Sequence, residues 1–243
     1  MNYSFLQCGE GALTVHLGDG IDPAINRRVT ALQGAIGSAG LRGITDLIPA
    51  YADLTVCYDC TVISAKALQR QLRRLLDSLS VAGQDRRRVF RLPVCYGGDY
   101  GPDLDFVCHH SGLSAQEVIA LHSAPDYLIY MLGFLPGFAY LGGLDPRLHT
   151  PRLDSPRTCI PAGSVGIGGA QTGVYPLASP GGWQLLGRTP VSVFDRQRQE
   201  PILYRAGDLV HFVPISSAEY EEIARAVAAG TYTVQVEEVP VCD

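Results

Sequence analysis

A chain of 243 residues and 26.1 kDa, with 47% hydrophobic and 18% charged residues, has the composition of a globular protein large enough for two domains. A net charge of −5 and a pI near 5.6 argue against a nucleic-acid binder, whose surface needs concentrated positive charge. No apolar run reaches the roughly 18 residues of a membrane span, the start MNYSFLQCGEGALTV lacks the pattern of a secretory signal, and an odd set of seven cysteines reads as reduced thiols in the cytoplasm.

From the N-terminus, FLQCG and ALTVHLG read as strands. Asp22 before Pro23 is an N-cap followed by proline at the first helical position, and Ile25, Val29, Leu32 and Ile36 give the helix an apolar face. ITDLIPA and YADLTVCYD are two strand candidates, Ser64 to about Leu79 is a helix with Leu68, Leu72, Leu75, Leu76 and Leu79 on one face, and VFRLPVCY is a closing strand. The expected fold class is therefore α+β, beginning with a βαββαβ, ferredoxin-like domain over residues 1–95. Within it, RRRVFR from Arg86 to Arg91 reads as a solvated strand edge.

A second domain is expected over 96–215. Pro102 and Asp103 open a helix with Leu104, Val107 and Cys108; Ser114 and Glu117 form a capping box for another with Val118, Ile119 and Leu121. Short strands separated by Gly and Pro then continue to HFVPI at 211–215, which predicts a closed or nearly closed barrel, and 12 of the 27 glycines fall between Gly133 and Gly187. Residues 216–243 are expected as an extension, one helix ended by Gly230 and one strand, TYTVQVEEV.

Chemistry concentrates in the barrel segment. No GxxxxGK[ST] frame exists, since Lys66 is the only lysine, so phosphate contacts fall to arginines and backbone amides; the run from Gly166 to Gly173 is either an anion-binding nest or a set of tight turns. In LHTPRLDSPR, His149, Arg152 and Arg157 suit an anionic substrate, with surface ion pairs to Asp145 and Asp154 as the alternative. Gln171, Thr172, Tyr175, Ser179, Gly181, Gly182, Trp183 and Arg188 offer uncharged donors, a cation and an aromatic wall of the kind a small polar ligand with a flat apolar part needs, although Trp183 by itself also fits barrel core. Ser164 follows Ala162-Gly163 and is not the centre of a GxSxG elbow. Cys57 and Cys60 form a lone CxxC, Cys108-His109-His110 cannot converge on one ion from a helix, and His122 and His211 read as satisfied structural histidines; no metal ligand set is expected.

The segments GFLPGFAYLGGLD, LHTPR, PRTCIPAGSVGIGGAQTGVYPLASPGGWQLLGRTP and GDLVHFVPI resemble the family of the 5-oxoprolinase B subunit, which also holds KipI-type kinase inhibitors and half-modules of allophanate hydrolase and urea carboxylase. The likeness is weak before about Leu92 and dense from there to Ile215; many relatives read GFPYLG where this chain has Ala139. The resemblance implies a cyclophilin-like barrel and a component of a heteromeric enzyme that, with A and C subunits, converts 5-oxo-L-proline to L-glutamate using ATP, with Mg, as co-substrate. It implies His149 and Arg157 as catalytic groups, and Arg152, Ser164, Gln171, Thr172, Tyr175, Ser179, Gly181, Gly182, Trp183 and Arg188 as substrate or phosphate contacts. The other family activities imply a sensor histidine kinase as partner, or a biotin-dependent carboxyltransferase half acting on urea or another amide.

Overall fold

The computed structural model of this chain describes residues 3–79 and 86–240. It divides into two units, residues 1–85 and 86–243, each with its own core. The fold is α+β.

In the first unit, β1 (Ser4–Cys8) and β2 (Ala12–His16) form a hairpin, α1 (Pro23–Ala39) follows, then β3 (Ile44–Pro49), β4 (Asp53–Tyr58) and α2 (Ala65–Asp77). The helix starts are those the sequence marks. Asp22 accepts the Ala24 N–H at 2.6 Å with Pro23 behind it, and Ser64 accepts the Ala67 N–H at 3.3 Å. Leu68, Leu72 and Leu76, each one turn apart, bury one face of α2 in a core with Val15, Leu32, Leu54 and Val56.

The sheet is antiparallel in the order β1-β2-β4-β3. Strands β2 and β3 therefore flank β4 with α1 crossing between them, which is the split βαβ of a ferredoxin-like sheet. The expected closing strand is not in this sheet. Its place beside β2 is taken by β1, delivered by the tight turn at Gly9 (φ +63), and residues 86–96 form the first strand of the second unit.

That second unit comprises β5 (Arg86–Tyr96), α3 (Leu104–Ser111), α4 (Ala115–Ser123), β6 (Tyr127–Leu132), β7 (Ala139–Gly142), a 3-10 turn (Pro146–Leu148), β8 (Arg157–Ile160), β9 (Ser164–Gly168), β10 (Gln171–Val174), β11 (Ser179–Gly181), β12 (Gln184–Arg188), β13 (Leu209–Ile215), α5 (Ser217–Ala228) and β14 (Gln235–Pro240). Its main sheet runs β12-β9-β10-β7-β6-β13-β5-β14, and a further β12–β5 pairing closes the first seven of these strands into a barrel. Strand β5 is the seam. One edge pairs with β13 from Val89 to Cys95, while the other gives residues 86–91 to β14 and residues 95–96 to β12. Pro93, which has no N–H to donate, falls in the gap between those two partners. A strand buried on both faces needs a nearly continuous apolar run, and VFRLPVC supplies it.

The seam also changes the reading of the arginine cluster. It is not an exposed edge: Arg88 donates to Asp208 through two nitrogens at 2.6 and 3.0 Å, Arg91 to Glu237 at 2.7 and 2.8 Å, and Arg86 lies 3.4 Å from Glu238. The C-terminal helix and strand, expected as an extension, belong to this unit, because β14 covers half of β5.

Inside the barrel, His122 is fully buried and flat against Phe212, with ring centroids 4.8 Å apart. Thr172 Oγ1 donates to Gly166 O at 3.1 Å and so accepts from His122 Nε2 at 2.7 Å, leaving His122 Nδ1 to accept from Tyr96 at 2.8 Å. His211 is likewise satisfied, by Asp126 at 2.8 Å. Burial pushes the His122 imidazole down to about 3, far below its ordinary 6.5. Its folded form resists protonation while the unfolded chain accepts a proton below pH 6.5, so stability should fall as pH drops from about 6.5 toward about 3, by up to roughly 1.4 kcal/mol per pH unit. Urea melts at pH 7 and 5 should show that loss in the native chain and a smaller one in His122→Gln; equal slopes would remove His122 as its cause.

Candidate functional site

A pocket opens on the barrel where the β6–β7 loop, the 151–157 segment and the β11–β12 junction meet. Its walls are Phe134, Phe138, Tyr140, Arg152, Tyr175, Pro180, Gly181, Gly182 and Trp183, around a volume of about 150 Å³. Trp183, Phe138 and Tyr175 pack edge to face, with centroids 5.5 to 6.1 Å apart, and this satellite core with Ile160 and Leu185 makes the walls stiff.

Glycines make room for that packing. A Cβ on Gly168 would stand 2.4 Å from Trp183 Nε1, and one on Gly181 would stand 2.6 Å from both the Tyr175 hydroxyl and Ile160. The Gly166–Gly173 run is accordingly a β-hairpin, β9 to β10, turning at Gly169 (φ +64) and thinned on one side to admit the indole. These positions serve packing and turning.

Arg152 supplies the charge. Its guanidinium stands 5.9 Å over the Trp183 ring, in exposed surroundings, and none of the ion pairs among the described residues involves it. The Tyr175 phenol is pushed up by burial and pulled partly back by the Trp183 backbone N–H and by the charges of Arg152 and Arg157. At the rim, Phe134 is 67% exposed and holds a positive φ of 67°, between a Leu135 N–H donated to Gly133 and a Phe138 N–H donated to Leu135.

Arg152, Tyr175, Gly181, Gly182 and Trp183 are thus brought together. Arg157 stands just behind the wall, donating to Asp103 Oδ1 at 2.7 Å and to Trp183 O at 3.4 Å; its carboxylate partner is Asp103, whereas Asp145 pairs with Arg147. Ser179 is buried one residue before the lining segment. The remaining sites lie elsewhere. His149 is exposed at the end of the 3-10 turn, Gln171 is half-buried at the start of β10, and the Thr172 hydroxyl points into the barrel at His122. Ser164 and Arg188 face each other in the β9–β12 register, with Arg188 6.0 Å over Tyr100 and the Ser164 hydroxyl fully buried. Phe134, Phe138 and Tyr140 also line the wall, and Pro180 gives no sign in the sequence of a site role; aromatic spacing across the FLPGFAY turn is the signal that could have found this wall.

The sequence model of the family described as carboxyltransferase domain, subdomain C and D, matches residues 3–204. Proteins named as the B subunit of 5-oxoprolinase are 42% identical over 90% of this chain and 96% of the relative in Bacillus subtilis (strain 168), and 45% identical over 85% of this chain and 93% of the relative in Escherichia coli O157:H7. The chain belongs to this family. Among solved structures, a longer chain 41% identical to it aligns over 85% of this one with a TM-score of 0.75, and 40% of that longer chain is covered. Kluyveromyces lactis urea carboxylase shares the fold, at TM-score 0.82 and 23% identity over 98% of this chain, which spans 24% of that enzyme. No helix among the described residues is long and apolar enough to cross a membrane.

Proposed function

We propose that this protein is the B subunit of an ATP-dependent 5-oxoprolinase, acting with A and C subunits to convert 5-oxo-L-proline to L-glutamate while ATP becomes ADP and phosphate. The observation that carries the proposal is the 42% identity across 96% of a relative bearing that name. The pocket is consistent with it. Its aromatic walls suit the apolar ring carbons of a small lactam, and Arg152 over Trp183 suits a carboxylate at the mouth.

A lactam is a poor electrophile, so transfer of the γ-phosphoryl group to its carbonyl oxygen turns that oxygen into a leaving group. One water then adds to that carbon and the ring C–N bond breaks, leaving an acyl phosphate, and a second water displaces phosphate, so two waters are consumed for each glutamate and ADP formed. A volume of about 150 Å³ lies below the roughly 300 Å³ at which sites for drug-sized ligands begin, so ATP with Mg has to be held mainly outside this pocket, in a cleft that the partner barrel of the C subunit would complete.

The reading predicts that the purified chain alone turns over nothing and that adding the A and C subunits releases glutamate and phosphate in equal amounts. Steady hydrolysis by the isolated chain, or no turnover beside partners that are active in an authentic 5-oxoprolinase, would reject it. Dose-dependent loss of sensor kinase autophosphorylation, or carboxyl transfer from a biotinylated carrier, would assign the chain to one of the other family activities.

A further inference from the structure

Asp103 stands at the start of α3, yet its carboxylate makes no cap bond to that helix. It is buried, at 8% exposure, and both oxygens are engaged across the barrel. Oδ2 accepts the Leu185 N–H at 2.6 Å while the Asp103 N–H donates back to Leu185 O at 3.0 Å, so one residue grips both backbone groups of β12's second position. Oδ1 accepts from Arg157 Nη2 at 2.7 Å, and Arg157 Nη1 reaches Trp183 O at 3.4 Å. Arg157 is also the register partner of Gly181 in the β8–β11 pair. The carboxylate therefore ties β8, the pairing partner of β11, to β12, and the Pro180 to Trp183 wall is strung between β11 and β12.

We infer that Asp103 is a positioning residue for the pocket, its carboxylate setting through Leu185 and Arg157 where Trp183 and the Gly181-Gly182 wall stand, and hence how tightly a small anionic ring is held. The affinity half of this inference rests on the proposed function; the positioning half does not. An Asp carboxylate shared between a backbone N–H and a guanidinium is a charge-assisted junction with defined geometry. Replacing it with an amide removes the charge that holds Arg157 and leaves the wall to relax outward.

Trp183 is the only tryptophan, so its fluorescence reports the wall directly. In the full chain, Asp103→Asn should red-shift Trp183 emission, increase its quenching by acrylamide before any ligand is added, and weaken 5-oxo-L-proline binding by about tenfold or more. With partner subunits the loss should appear in KM with kcat changed by less than about twofold. Arg157→Lys keeps the charge but offers a single ammonium in place of the guanidinium fork, and it should shift the same readouts in the same direction. Should Asp103→Asn not fold, Arg157→Lys, which leaves the Asp103–Leu185 grip in place, carries the same test. Unchanged emission and quenching in a folded variant would overturn the inference. Altered quenching in a series whose native chain, beside competent A and C subunits, neither binds nor turns over 5-oxo-L-proline would overturn the proposed function and leave the positioning role standing.

Discussion

Gly101→Ala is expected to destabilise the second unit by about 3 kcal/mol, at the upper end of the range for overpacking. A Cβ at this position would lie 1.9 Å from Leu186 O, 2.2 Å from Leu186 C and 2.8 Å from Gly187 N. All three are backbone atoms of β12, so no rotamer change relieves the clash. The 97–103 loop is laid against that strand by the Gly97 N–H donated to Leu186 O at 2.9 Å and the Asp103 N–H donated to Leu185 O at 3.0 Å, and the added methyl group has to pry it off. Urea denaturation followed by Trp183 fluorescence should show a lower midpoint with a similar slope. A midpoint equal to that of the native chain would mean that the loop moves away from β12 at little cost and that its close approach has no energetic importance.

Such close approaches mark where sequence reading stops. Helix starts are legible because their chemistry is local: Asp22 with Pro23 and Ser114 with Glu117 cap as their spacing predicts, and Ser64 caps the helix expected to begin there. The barrel is legible from strand-and-turn punctuation, and Trp183, Tyr175 and Arg152 are legible as residue types suited to a small anionic ring. Strand β5 reads as part of the first unit because adjacency in sequence is the only guide available there. Its partners β13 and β14 lie beyond residue 208, and only the pairing shows that Arg88 and Arg91 meet Asp208 and Glu237. The same holds for Asp103, which reads as a helix cap, while its carboxylate goes to Arg157, 54 positions along the chain. Thr172 has the look of a free donor for a ligand; in fact the buried His122 claims it. Polar residues in a barrel divide between pocket and core according to which face of a strand they occupy, and a bulge such as that between Leu185 and Gly187 resets the alternation.

Arg152→Ala should weaken binding of 5-oxo-L-proline by about tenfold to a hundredfold, the equivalent of the roughly 1.5 to 3 kcal/mol that a hydrogen bond to a charged group contributes. The guanidinium stands over the Trp183 ring at the pocket mouth without a carboxylate partner among the described residues, so its charge is available to a ligand. The ring contact holds it there, since a cation over an indole face is attracted by the ring quadrupole. Because the side chain is exposed, part of the effect should be screened by salt, and the difference between native and variant affinities should shrink as ionic strength rises. Arg152→Lys should recover part of the loss, keeping the charge but not the paired hydrogen bonds. The decisive comparison uses 2-pyrrolidinone, the same ring without the carboxylate. Native chain and Arg152→Ala should bind it with equal affinity, because nothing on that ligand addresses the arginine. If instead both ligands weaken alike in the variant, Arg152 acts by propping up Trp183, and the carboxylate has to be received by some other group.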